Sequence, residues 1–193
     1  MGAWRDWYHC MCSTYGAWLR GDPRGWRSRH HRERVEGDYR RPPPSGKYAS
    51  LYRRSAFFMK RNRARIPPEL RELVLSAIVA SLKRRGIQIV IASLDDRHLH
   101  ILARFSDHNP RHWIGPAKKD SARLLSDRRL GSPGGVRAKR SKALPIRDRN
   151  HQLSLMRYII RHAHRGSALR RGFKYATPTG ISPPCRPYCS SLR

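Results

Sequence analysis

The chain has 193 residues, the length of one domain with extensions, and carries 42 Lys and Arg against 13 Asp and Glu, a formal +29 at pH 7. Such an excess repels itself, so a screening polyanion such as nucleic acid is the expected partner. Leu, Ile, Val and Phe total 37, with 17 of them at positions 66–105, which argues against a large enzyme with a deep apolar pocket, and no run of about 18 apolar residues is present to cross a membrane.

The first segment, MGAWRDWYHCMC, lacks the apolar stretch of a signal peptide, and Asp6 stands where a myristoylation motif needs Ser or Thr. The expected location is therefore the cytoplasm, in association with the nucleoid, where thiols stay reduced. Cys10-x-Cys12 and Cys185-x3-Cys189 do not match zinc-pair spacing on both sides and read as unpaired thiols. Trp7 to Tyr15 predicts one strand, ended or bulged at Gly16. Residues 20–47 read as a long basic loop, with GDPRG, WRSRHHRER and Pro42-Pro43-Pro44 as its punctuation.

Tyr48 to Arg61 predicts a short helix. A clearer one starts at Pro67-Pro68 and places Leu70, Leu73, Val74, Ala77, Ile78 and Leu82 at three- and four-residue steps before Gly86. IQIVIASL (87–94) and HLHILARF (98–105) are two strands joined by the turn Asp95-Asp96-Arg97. Pro110 to Arg129 is a second amphipathic helix, with Trp113, Ile114, Ala117, Ala122, Leu124 and Leu125 on its apolar side. Val136 to Lys139 reads as a short edge strand, and Asn150 as the cap of a helix from His151 to Arg165. One domain over residues 1–168 and a loose tail over 169–193 are expected. Strand, helix, hairpin, helix, strand is the order of an α+β, ferredoxin-like antiparallel sheet with helices on one face; here a C-terminal helix follows.

Strand alternation sends His98, His100, Leu102 and Arg104 to one face and the apolar Leu99, Ile101, Ala103 and Phe105 to the other. The apolar set is the core side, which leaves the two imidazoles as neighbours on the opposite, open face. Two histidines so placed can start a divalent-metal site; they can equally be a surface pair on an exposed sheet. Tyr158 and His162, four residues apart, share one side of the last helix. A tyrosine one turn from a metal ligand suits attack on a phosphodiester, whereas the bland reading is a half-buried tyrosine beside a solvated histidine.

Asp95-Asp96-Arg97-His98-Leu99-His100-Ile101-Leu102 resembles the His-hydrophobic-His strand of the HUH single-strand endonucleases, and Tyr158-Ile159-Ile160-Arg161-His162 is similar to their tyrosine helix. The nearest resemblance is to single-tyrosine transposases of the insertion-sequence-200/605 and REP-associated type. It extends to TYGAWLRGDPRGWRSRHHRERVEGDY, PRHWIGPAKKDSARLLSD and AKRSKALPIRDRNHQLSLMRYIIRHA, about residues 8–165. The resemblance implies a ferredoxin-like sheet and cleavage of single-stranded DNA at hairpin-flanked sites without ATP. It implies Tyr158 as the nucleophile that becomes joined to the 5′ phosphate. It further implies His98, His100 and His162 as ligands of Mg2+ or Mn2+, supplemented by Asp95 or Asp96. At position 162 the family more often has Gln or Asn. Relatives are often homodimers in which the tyrosine helix completes the partner's site, and both monomer and dimer stay open here.

Basic clusters supply a DNA-binding surface: Arg27, Arg29, Arg32 and Arg34 in the loop, Lys118 and Lys119, Lys139 and Arg140, and Arg161, with Trp18, Trp26 and Trp113 for base stacking. Three other readings compete. An RNA-recognition-type sheet would carry stacking aromatics on its open face, and the face of 98–105 has none. A decayed or domesticated transposase would bind nucleic acid without cutting it. A basic structural protein of a ribonucleoprotein would leave the histidine and tyrosine pairs as coincidence.

Overall fold

The structure is a computed structural model that describes residues 4–24, 26, 41–127, 137–163 and 166–172, with backbone only for 137–140 and 163. Its elements in chain order are β1 (Trp7–Thr14), α1 (Ala49–Phe57), α2 (Pro68–Arg84), β2 (Gln88–Leu94), β3 (His98–Arg104), α3 (Pro110–Asp127), β4 (Arg137–Pro145), α4 (Arg149–Ala163) and β5 (Ala168–Arg171). The class is α+β. The five strands form one sheet in the order β4-β1-β3-β2-β5, every neighbouring pair antiparallel.

Two cores flank this sheet. On one face, α2 contributes Val74, Leu75, Ile78, Val79 and Leu82, and α3 contributes Ile114, Ala117 and Leu125; they close over Cys10, Cys12, Leu99, Ile101, Ala103 and Phe105. α3 reaches this face because Pro110, Ile114, Ala117, Ser121 and Leu125 recur at helical spacing and are all buried. Asp120 joins the two helices, accepting hydrogen bonds from Ser81 and Arg85 of 2.5 and 3.1 Å.

The other face is not open. α4 lies across it, and Ile159 packs with Val90, Ile91, Leu102 and Ile146. A bulge makes this second core: the pairing of β2 with β3 shifts between Ile89 and Ile91. Ile89 therefore faces the α2–α3 side while Val90 and Ile91 both join the α4 side.

Several boundaries differ from expectation, among them the end of α1 at Phe57 rather than Arg61. β4 runs to Pro145 rather than stopping near Lys139, because pairing with β1 supplies order that its basic sequence does not. α4 is capped by Asp148, whose carboxylate accepts the His151 N–H at 2.7 Å, while Asn150 lies exposed inside the first turn. Leu169 to Arg171, placed in the loose tail by sequence, continue from Ala168 as an edge strand on β2. Gly172 ends it where the chain passes so close to Ile89 that any Cβ would strike its carbonyl oxygen. Residues 173–193 lie outside the described residues.

Candidate active site on the histidine face

Register decides which side chains meet beneath α4. Ser13 pairs with His98, Met11 with His100 and His9 with Leu102, and from the other side Ser93 pairs with His100. Cross-strand partners share a face, so His9, His98 and His100 lie on the same side of the sheet.

The turn between β2 and β3 adds a carboxylate. Asp95 accepts backbone hydrogen bonds from Arg97, at 2.7 Å, and from His98, which fold the turn back on itself. Its second oxygen is 3.4 Å from His98 Nδ1 and 3.8 Å from His162 Nδ1. Burial opposes ionisation of Asp95, but the His98 side chain and the two backbone N–H groups outweigh it and hold the carboxyl well below the usual carboxylate range.

α4 delivers the rest. The His162 ring centroid is 4.7 Å from that of His100 and 4.8 Å from that of Tyr158, and Tyr158 is 5.4 Å from His100. Tyr158 is 40% exposed, so its ring touches the histidines while remaining open to a ligand. The structure thus brings His98, His100, His162, Asp95 and Tyr158 together.

His9 is the member that sequence reasoning missed. Its Nε2 lies 3.1 Å from His100 Nδ1, the rings stack at 5.3 Å, and both residues are buried. Burial, then the neighbouring His9, His162 and His98, lower His100 to about 3. Burial, then His151, His162 and Lys142, lower His9 to about 4. Both rings are therefore neutral at pH 7, and one N–H is shared between them. A signal for His9 existed only in part, since strand alternation alone does not say which residue of β1 lies beside which of β3.

The loop after β1 flanks the site. Trp18 is 6.0 Å from His98 and 47% exposed, with the Arg24 guanidinium 4.4 Å above its ring. Arg24 is in turn held by the buried Asp22, at 2.6 Å, and by the Ala17 carbonyl at 2.8 Å.

Among the expected DNA contacts, Lys119 and Arg161 are exposed. Lys118 is not a surface cation: it lies on the inner side of α3 and is buried, because it follows Ala117 on the stripe that packs on the sheet. Lys139 and Arg140 fall in β4, with side chains outside the described set, and Arg27, Arg29, Arg32 and Arg34 lie outside the described residues. Of the three tryptophans, Trp26 is buried edge-on against Tyr48, and Trp113 donates to Asp107 at 2.7 Å. Trp18 alone of the three stands open.

The donor set matches a divalent cation in kind: imidazoles and an ionised carboxylate at one place, with His98 Nε2 buried and lacking a hydrogen-bond partner among the described residues. As they stand, however, no three His, Cys, Asp or Glu side chains among the described residues are disposed around a common ion position. Compared with known proteins, the chain matches no family model, no curated protein and no solved structure.

Proposed function

We propose that the chain is a metal-dependent single-stranded DNA endonuclease and strand transferase, a transposase-type enzyme working through a covalent 5′-phosphotyrosine at Tyr158. The observation that carries this reading is the part-exposed Tyr158 ring packed against His100 and His162, beside Asp95, on a chain of formal charge +29. The strand order β4-β1-β3-β2 with α2 and α3 on one face supports a ferredoxin-like sandwich as its frame.

His98, His100, His162 and Asp95 would hold Mg2+ or Mn2+, after the side chains rearrange around it. Such an ion, when bound, neutralises the target phosphate and polarises its bridging oxygen. The protein's own groups do the rest. His9 shares one N–H with the Nδ1 of His100; in the tautomer in which His100 donates it, the Nε2 lone pair of His100 is left for a ligand and the ring is fixed. The Tyr158 oxygen loses its proton to solvent and bonds to phosphorus. The bond from phosphorus to the 3′ oxygen breaks, and that oxygen takes a proton from solvent to leave a free 3′ hydroxyl. Arg161, exposed next to His162 on α4, would supply a cation for a phosphate of the strand. The reverse reaction reseals the strand without ATP.

A binding-only protein on the same frame is the second reading. Its ground is the donors' arrangement, in which Asp95 sits beside His98 and His162 and no three donors among the described residues surround a common ion position. Incubation with hairpin-bearing single-stranded DNA and Mn2+, followed by a denaturing gel, separates the two. An adduct that forms with the wild type and is lost in Tyr158→Phe supports the enzyme. Binding without any adduct supports the second reading, and an adduct that survives in Tyr158→Phe moves the chemistry to another tyrosine.

A further inference from the structure

α1 is an anomaly in a chain with so little apolar residue to spare. None of its residues is buried, yet Phe57 and Phe58, at its end and just beyond, are 82% and 68% exposed. The two rings meet edge to face, 5.3 Å apart, and the Arg54 guanidinium stands 5.9 Å from the centre of Phe58. Side by side, the two rings form one exposed apolar patch, the kind of feature that binding surfaces use.

The rest of α1 holds that pair out into solvent. Gly21 (φ +80°) lies so close to the first turns that a Cβ there would come within 2.5 Å of the Tyr52 nitrogen. Tyr48 packs edge-on against the buried Trp26, and Pro43 is buried beside them. Beyond α1 the chain is tied to β1: the Lys60 N–H donates to the Tyr15 hydroxyl at 3.2 Å and the Ala64 N–H to the Tyr15 carbonyl at 3.0 Å. Arg61 stacks over the Tyr15 ring at 4.1 Å. Tyr15 follows the end of β1 at which Ser13 pairs with His98, and Trp18 comes three residues later, open and beside His98. Aromatic rings with guanidinium partners thus lead from Phe58 through Tyr15 and Trp18 to the histidine face.

Charge selects the occupant. Residues 41–68 contain eight Lys and Arg and no Asp or Glu, so the surface asks for an anion. A second copy of a chain at +29 would bring like charge to like charge. Phenyl rings offer stacking area with no hydrogen-bonding atom, which suits planar bases of any sequence, while the guanidinium groups suit phosphates.

We propose that Phe57 and Phe58, with Arg53 and Arg54, form a base-stacking platform for single-stranded nucleic acid on its way to the candidate site past Tyr15 and Trp18. This deepens the proposed function and rests on its claim that the chain binds single strands, though not on its claim of cleavage. The test is fluorescence anisotropy with a labelled oligothymidylate and with an abasic strand of equal length, using the full chain. Wild type should prefer the strand with bases, and Phe57→Ala/Phe58→Ala should weaken that strand roughly ten-fold while leaving the abasic strand and the salt dependence unchanged. Phe57→Trp/Phe58→Trp should restore the preference. Arg53→Gln/Arg54→Gln should weaken both strands and flatten the salt dependence. Equal binding of oligothymidylate by wild type and the alanine variant would overturn the platform while leaving the DNA reading intact. Loss of a dimer in the alanine variant, with DNA binding unchanged, would overturn it in favour of a second copy. Failure of the wild type to bind either strand would overturn the reading on which it rests.

Discussion

The two faces of β3 are built from the same backbone and covered by helices on both sides, yet they follow different rules. Toward α2 and α3, Leu99, Ile101, Ala103 and Phe105 are fully buried and wholly apolar. Toward α4, Leu102 is as deeply buried, but His100 and His9 are enclosed with it, and His98 Nε2 has no hydrogen-bond partner among the described residues. Enclosing neutral imidazoles is costly unless their ring nitrogens find hydrogen-bond partners, as His9 and His100 do in one another, and an unpartnered ring nitrogen is a net cost. The first face is what stability requires; the second keeps groups that stability alone does not favour, and such groups gather at functional sites.

Truncation should separate the faces most sharply. Ile101→Ala opens a cavity between the sheet and its two helices and should cost about 2–5 kcal/mol in urea unfolding. His98→Ala removes one unsatisfied ring nitrogen but also the partner of Asp95, two opposing effects, so it should cost less than Ile101→Ala, under about 2 kcal/mol, while abolishing the proposed phosphotyrosine adduct. Comparable losses of stability from both substitutions would erase the distinction.

The apolar face was legible in the sequence, and the histidine face only in part. Residues 68–104 announce themselves because α2 has its apolar stripe, its stop at Gly86 and a hairpin of β-branched strands, all local signals. Tyr158 and His162 were legible because four residues on a helix fix a shared side. β5 was not, since Ala168-Leu169-Arg170-Arg171 has no strand pattern of its own and is extended because β2 offers an unpaired edge. His9 was missed because its meaning depends on the register of β1 against β3, a tertiary fact. Lys118 misled for the opposite reason: composition placed it at the surface, and the helical repeat of α3 turned it inward.

Next in size is the His9–His100 pair. His9→Phe or His100→Phe leaves the surviving ring without its 3.1 Å partner and should cost about 1–3 kcal/mol. The double variant should cost less than the sum of the two, because it leaves no orphaned nitrogen. Additive losses would show that the bond is absent in solution and would remove His9 as the residue that orients His100.

A smaller effect comes from the loop beside the site. Burial opposes the Asp22 charge, yet the Arg24 side chain and backbone N–H hold its carboxyl below the ordinary value. The unfolded chain therefore binds a proton at Asp22 at higher pH than the native one, so the contribution is complete above the unfolded value of about 4 and is lost as pH falls below it. Asp22→Asn should cost about 1 kcal/mol at pH 7, since half of the Arg24 side chain already faces water, and should flatten the acid limb of the stability curve. An unchanged acid limb would show that the Asp22–Arg24 pair does not form, leaving Trp18 without its support.

The smallest expected effect lies on the histidine face itself, at the far end of β3. Arg104 points to the same side as His98 and His100, but it reaches Asp6 at 3.1 Å at the end of the strand, with nearly half of its side chain exposed. Water and salt screen such a pair, so Asp6→Asn should cost less than about 1 kcal/mol, and the difference should vanish in high salt. Adduct formation should be unaffected, because Arg104 is six residues along an extended strand from His98, about 20 Å, and no group of the candidate site contacts Asp6 among the described interactions. A fall in adduct yield with Asp6→Asn would mean that the proposed chemistry is spread along the whole face of β3 rather than held at the end where Asp95 turns the chain.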